Sequence, residues 1–170
     1  MRTPRWTTLL RAASRALGSA FGPRPGGRRS PARPPAGDYP GDFLGVVRPV
    51  YSPHLDGRPD PGEVVWTWVP FEEDHTQGKD RPVLLVGRDG PWLLGLQLTS
   101  KDHDRGAARE DRYGRIWMDL GSGPWDSQGR TSEVRLDRVV RVDPAKVRRE
   151  GAVLDNKRFH SVVTAMHRAR

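Results

Sequence analysis

The stretch PVLLVGRDGPWLLGLQLT, residues 82–99, decides the fold. It holds two aliphatic runs, Pro82–Gly87 and Trp92–Thr99, on either side of Gly87-Arg88-Asp89-Gly90. Short apolar runs bounded by turn residues read as strands, and Gly-Arg-Asp-Gly is a strong breaker between them. Moving outward, the same grammar recurs in Glu63–Val69, Arg115–Leu120 and Glu133–Val142, with Gly121-Ser122-Gly123-Pro124 as a second breaker. Several short strands at this spacing predict a small barrel or sandwich and argue against a βαβ fold. From Asp38 to Pro61 the chain is rich in turn residues, so an irregular lead-in that wraps the domain is expected. The chain ends differently: Phe159, Val162, Val163 and Met166 recur at i, i+3, i+4, i+7 after Asp155 as cap, with His167, Arg168 and Arg170 where a helix dipole favours cations. One terminal helix packed on the barrel is predicted.

Within Glu133–Val142, Val134, Leu136, Val140 and Val142 share one parity and should face the core. Arg135 and Asp137 share the other and should stand side by side on the outer face. Arg138 has core parity, which predicts a bulge or strand end near it. Taken alone, Arg135 and Asp137 read equally well as an exposed ion pair, nearly neutral in energy.

Charge is unevenly placed. The chain carries 29 Lys plus Arg against 21 Asp plus Glu, net +8, yet residues 1–36 hold eight arginines and no acid. Residues 37–170 therefore hold 21 of each sign, and the basic character belongs to the tail. A high pI is then poor evidence that the folded part binds nucleic acid. Residues 22–37, GPRPGGRRSPARPPAG, have almost nothing to bury and read as a disordered linker. Upstream, Trp6, Leu9, Leu10, Ala13, Leu17 and Ala20 recur at helical spacing, opposite Arg5, Arg11 and Arg15. Such a segment is either a frayed extension or a weak contact to membrane or nucleic acid through residues 1–36. The organisation expected is a tail, 1–37, and a domain, 38–170. Arg11 and Arg15 interrupt what would be the apolar core of a signal peptide, so a cytoplasmic protein is expected. The absence of cysteine excludes disulfides, thiolate metal sites and thiol catalysis.

The ordered motifs are more specific than any one of them. Gly62-Glu63-Val64-Val65-Trp66 opens the domain, and His75-Thr76-Gln77-Gly78-Lys79-Asp80-Arg81-Pro82 leads into the second strand. Leu98-Thr99-Ser100-Lys101 and Val134-Arg135-Leu136-Asp137 follow. This order, over residues 62–168, resembles the PemK/Kid/MazF family of toxin endoribonucleases. The resemblance implies an SH3-like barrel, usually a homodimer, that cleaves single-stranded RNA without a metal or other cofactor and is held inactive by a cognate antitoxin. It marks Arg135, Asp137, His75, Arg81 and Thr99 as catalytic residues, and Gln77, Ser100 and Lys101 as RNA contacts. Two features depart from the family: the acidic run Glu72-Glu73-Asp74, which should repel RNA unless it faces away, and a long charged stretch at 102–131.

Metal-free RNA cleavage needs a base for the 2′-OH, cations for the phosphorane and an acid for the leaving 5′-oxygen. Asp137 suits the base, although Arg135 beside it should weaken it. Arg81 and Arg135 suit a bidentate grip on phosphate oxygens. The resemblance would make Arg135 the acid, but a guanidinium holds its proton too tightly, and the imidazole of His75 is the better donor. On this reading Arg135→Ala and Asp137→Ala abolish cleavage without unfolding the protein. Each residue also has a plain reading: His75 as a polar loop residue, Arg81 as the entry to a buried strand, Thr99 as a strand end, Gly78 as a turn former. Asp102-His103-Asp104 reads as a solvated loop, and His160 and His167 are spaced too widely for a helical zinc pair. Among the tryptophans, Trp125, in its Gly-rich turn, is the expected exposed one. The competing function is a non-catalytic SH3-like barrel that binds nucleic acid or peptide.

Overall fold

The structure, a computed structural model, describes residues 39–100 and 108–170. The amphipathic segment and linker expected in residues 1–37, together with Lys101 and the Asp102-His103-Asp104 run, lie outside them. Among the described residues eight strands join in one antiparallel sheet: β1 Glu63–Pro70, β2 Gly78–Asp89, β3 Trp92–Thr99, β4 Arg109–Glu110, β5 Ile116–Gly121, β6 Ser132–Arg135, β7 Val140–Val142 and β8 Arg149–Val153. One helix, α1 (Asn156–Arg168), follows. Hydrogen-bonded neighbours run β4-β5-β6-β3-β2-β1-β8, with β7 also beside β3. The sheet curls into a half-barrel, so the mainly-β barrel with a C-terminal helix is present as expected.

Registers Val65↔Val83 and Val83↔Gln97 align residues of one parity on one face. The other face carries Val64, Leu84, Leu96, Leu98, Val134 and Leu136, which pack with Phe159, Val162 and Met166 of α1. Burying each such side chain contributes about 1.5–3 kcal/mol. The helix starts where Asp155 accepts a hydrogen bond from Arg158 N–H at 3.0 Å, the predicted cap. On the face away from α1, Val65, Val83, Leu85, Leu93, Val140 and Val142 form a second apolar cluster. Further along the same parity the residues become Thr67, Arg81, Gln97, Thr99, Glu133 and Arg135, so this face has an apolar end and a polar end.

The expected single strand Glu133–Val142 is two strands, β6 and β7, both beside β3. Between Leu98↔Val134 and Gly95↔Val140, β3 steps back three residues while its partner advances six. An odd excess reverses the side to which a parity points. Val134 and Leu136 therefore pack toward α1, whereas Val140 and Val142 join the opposite cluster, not the one core their shared parity suggests. The surplus falls at Leu136–Val139, where the predicted irregularity at Arg138 lies.

Gly95 sits in the second cluster, opposite Leu85 and Val140. A Cβ there would overlap Val83 Cγ1. Gly95→Val is expected to destabilise the fold by about 1–3 kcal/mol, the usual cost of overpacking, seen as a lower urea midpoint. An unchanged midpoint would show that Val83 moves aside freely. Gly78 has a related role: a Cβ on it would enter the Trp68 ring and the Val69 carbonyl, so close approach, and not turn geometry, requires glycine there.

The lead-in wraps the sheet as expected. Phe43 N–H donates to Val139 O at 2.8 Å, Val50 N–H to Val86 O at 3.0 Å, and the Tyr51 hydroxyl to Leu154 O at 2.8 Å.

Candidate active site

At the polar end of the face, Arg135 comes from the last residue of β6 and Asp137 from the surplus segment beyond it. Arg135 Nε donates to both Asp137 oxygens at 3.1 and 3.2 Å, and Nη2 donates to Oδ2 at 2.7 Å. Asp137 Oδ1 also accepts Ile116 N–H at 2.9 Å, so the carboxylate caps the start of β5. The pair is thus joined as expected, but it is not on an open face: the Arg135 side chain is 4% exposed and that of Asp137 21%. A second carboxylate covers Arg135. Glu72, from the β1–β2 loop, accepts Nη1 at 2.8 Å and Nη2 at 3.1 Å. Four of the five guanidinium N–H groups are then engaged.

Burial works to raise the Asp137 pKa. The hydrogen bonds from Arg135 and Ile116 and the charge of Arg135 outweigh it and hold the carboxyl below the usual carboxylate range. For Arg135, burial favours the neutral form, but Asp137 and Glu72 win and raise its pKa.

Arg81 is different. It is half-buried on β2, opposite Thr67. Burial, followed by repulsion from Arg115 and Arg138, lowers its pKa. Arg138 is bound by Asp42 of the lead-in at 2.7 and 3.0 Å, and Arg115 lies 3.8 Å from Asp111. Arg81 donates to no acceptor among the described residues. A half-buried guanidinium flanked by two others, with no acceptor on its fork among the described residues, has the geometry and charge to take an anion.

Residues 60–169 match the family described as PemK-like, MazF-like toxin of type II toxin-antitoxin system. The chain belongs to this toxin family. No curated protein matches it. The family match spans two residues more at one end and one more at the other than the motif resemblance, and leaves out the tail. Membership implies a cognate antitoxin as partner. Among the described residues no helix is long and apolar enough to cross a membrane.

The other expected toxin-site residues are placed as follows. Thr99 is buried at the end of β3, opposite Glu133 of β6. It lies two residues past the last β2–β3 pair, as Arg81 does on β2, so the two share one face and one end of the sheet. Ser100 follows it and is exposed. Gln77 turns back on its own loop, donating to Asp74 at 2.8 Å. His75 meets the edge of Tyr39, ring centroids 5.0 Å apart, and makes no hydrogen bond to Arg135 or Asp137. It lines a cavity of about 430 Å³ with Thr67, Trp68, Trp92 and Lys146. Among the described residues the exposed tryptophan is Trp68, at 39%, and not Trp125, which is 1% exposed. Trp125 Nε1 donates to Ser132 Oγ at 3.0 Å and its carbonyl accepts from Trp66 Nε1 at 2.9 Å, which explains how a Gly-rich turn buries it.

Sequence reasoning did not find Glu72, Asp42, Tyr39, Arg115 or the site contact of Arg138. The acidic run was the one available signal, expected to repel RNA unless it faced away: Glu72 faces the site, while Asp74 is used by Thr76 and Gln77.

Proposed function

We propose that this toxin is a metal-independent endoribonuclease that cleaves single-stranded RNA through attack of the 2′-OH on the adjacent phosphorus. One observation carries the reading: Arg81, a half-buried guanidinium without an acceptor among the described residues, stands in an arginine cluster at the same end of the sheet as the Arg135–Asp137 pair. Arg81 would take non-bridging phosphate oxygens, and Arg135 would add charge as the phosphorane forms. Asp137, held ionised, would accept the 2′-OH proton as the O2′–P bond forms and the P–O5′ bond breaks. Its lowered pKa makes it a weak base, so positioning supplies more of the rate than basicity. His75 would protonate the departing 5′-oxygen, provided the β1–β2 loop brings it in from Tyr39. Thr99 would donate to the phosphate, and Gln77, Ser100 and Lys101 would contact the strand. The cavity beside His75, bordered by Trp68, suits one unpaired base on an aromatic ring. The domain would act as a homodimer in the cytoplasm, with residues 1–36 adding a weak contact to nucleic acid or membrane.

Purified protein freed of its antitoxin is expected to cut single-stranded RNA in excess EDTA, leaving 2′,3′-cyclic phosphate and 5′-hydroxyl ends. Intact RNA under those conditions, with binding retained, would instead support a non-catalytic barrel. The engagement of Arg135 by both Asp137 and Glu72 is the observation that favours this second reading.

A further inference from the structure

The β1–β2 loop carries three consecutive acids, and the structure treats them differently. Asp74 accepts from Thr76 N–H, Thr76 Oγ1 and Gln77 Nε2, so its charge is spent within the loop. Glu73 is exposed. Glu72 alone crosses to the sheet and takes two parallel hydrogen bonds from the outward edge of Arg135. That fork-to-fork geometry is the one in which a guanidinium takes two oxygens of a phosphodiester.

The two carboxylates on Arg135 are not equivalent. Asp137 lies two residues away along the chain, is 21% exposed and is also tied to Ile116 N–H. Glu72 reaches in from a loop, is 52% exposed and has no other side-chain hydrogen bond among the described residues. A half-exposed carboxylate regains hydration when it leaves, so its hold is weak for a charged pair, whereas Asp137 stays. With Glu72 seated, one guanidinium between two carboxylates leaves a net charge of −1, which opposes an approaching phosphate. With Glu72 withdrawn, the pair is neutral and two N–H groups on Nη1 and one on Nη2 are open.

We propose that Glu72 is a built-in competitor of the substrate phosphate. Its carboxylate holds the outward edge of Arg135 until a polyanion displaces it. Glu72 then sets the affinity threshold of the site: a strand bearing several phosphates, with Arg81 gripping one of them, can evict it, whereas a single small anion competes poorly. The identity of the anion as an RNA phosphate rests on the nuclease reading above; the competition itself does not.

The test uses the full-length protein and a fluorescent single-stranded oligonucleotide with 2′-O-methyl sugars, which binds without being cut. Glu72→Gln and Glu72→Ala are expected to tighten binding about tenfold, the size of one modest charge-assisted contact. Glu73→Gln removes the same charge from the same loop without removing the contact, and so measures the general electrostatic gain, expected to be below about twofold. On cleavable RNA, the Glu72 variants should lower KM and leave kcat near the parent value. Equal gains for the Glu72 and Glu73 variants, or no gain at Glu72 in a protein whose thermal midpoint shows it folded, would overturn the proposal while cleavage still upheld the nuclease. A selective gain at Glu72 without cleavage by any variant would leave the competitor standing and remove the nuclease. Absence of oligonucleotide binding by all of them would overturn both.

Discussion

Arg81→Ala is expected to reduce RNA cleavage by about 10²–10³-fold, the usual loss when one preorganised donor to a developing oxyanion is removed. The thermal midpoint should stay the same or rise. These two outcomes rarely go together, because most Arg→Ala changes also lose packing or an ion pair. Here the guanidinium has no acceptor among the described residues, and both burial and the charges of Arg115 and Arg138 disfavour its protonated form. Its charge is thus a cost to the folded state that an anionic ligand would relieve. Arg81→Lys restores the charge but not the planar fork, and should recover only part of the rate. Initial rates on an oligonucleotide, with a denaturation curve for each variant, check the pair of outcomes. A clear fall in midpoint with full activity per folded molecule would make Arg81 a structural residue and leave the anion site without its main cation.

Arg81 is legible in the sequence because it precedes Pro82 and a buried aliphatic run at a fixed place in the motif order. The strands around it are legible for the same reason: local patterns of apolar and turn residues write them. So is α1, whose stripe Phe159, Val162, Met166 and cap Asp155 are all local. What escaped is non-local or runs against the pattern. Strand β8, Arg149–Val153, and the two-residue β4 carry no apolar signature. The start of β2 at Gly78 is hidden by Lys79, Asp80 and Arg81, which pair with Val69, Trp68 and Thr67. The shared parity of Val134, Leu136, Val140 and Val142 is interrupted in the sequence only at Arg138, and the three surplus residues there invert its meaning in space. The largest omission concerns exposure. Arg135 reads as an outward residue, but Glu72, 63 positions away, closes over it, and Arg138 meets Asp42 across 96 positions. No periodicity records such pairs, so the sequence indicates candidate site residues and not which of them are covered.

That coverage changes what removing Arg135 should do. Arg135→Ala is expected to abolish cleavage and also to destabilise the protein, contrary to the behaviour of an exposed pair. Breaking a fully buried ion pair by removing one partner costs about 3–5 kcal/mol, and the partial exposure of Asp137 and Glu72 reduces that to roughly 2 kcal/mol here. Asp137→Asn keeps the shape and leaves Glu72 on Arg135, so it should lose cleavage with a smaller stability change. The effect depends on pH in a defined direction. The folded pKa of Asp137 lies below its unfolded value, so its contribution is complete above the ordinary carboxyl range, near pH 4, and is lost as pH falls through the depressed folded value. In Arg135→Ala the hydrogen bonds and charge of Arg135 are gone, backbone N–H groups such as Ile116 alone oppose burial, and the Asp137 pKa rises from its value in the parent. Urea midpoints of parent and variant should therefore differ most at neutral pH and converge on acidification toward about pH 3. A gap that stays constant from pH 7 to pH 3 would mean that Arg135 stabilises by packing. The charge coupling that keeps Asp137 ionised for its role toward the 2′-OH would then have no energetic support.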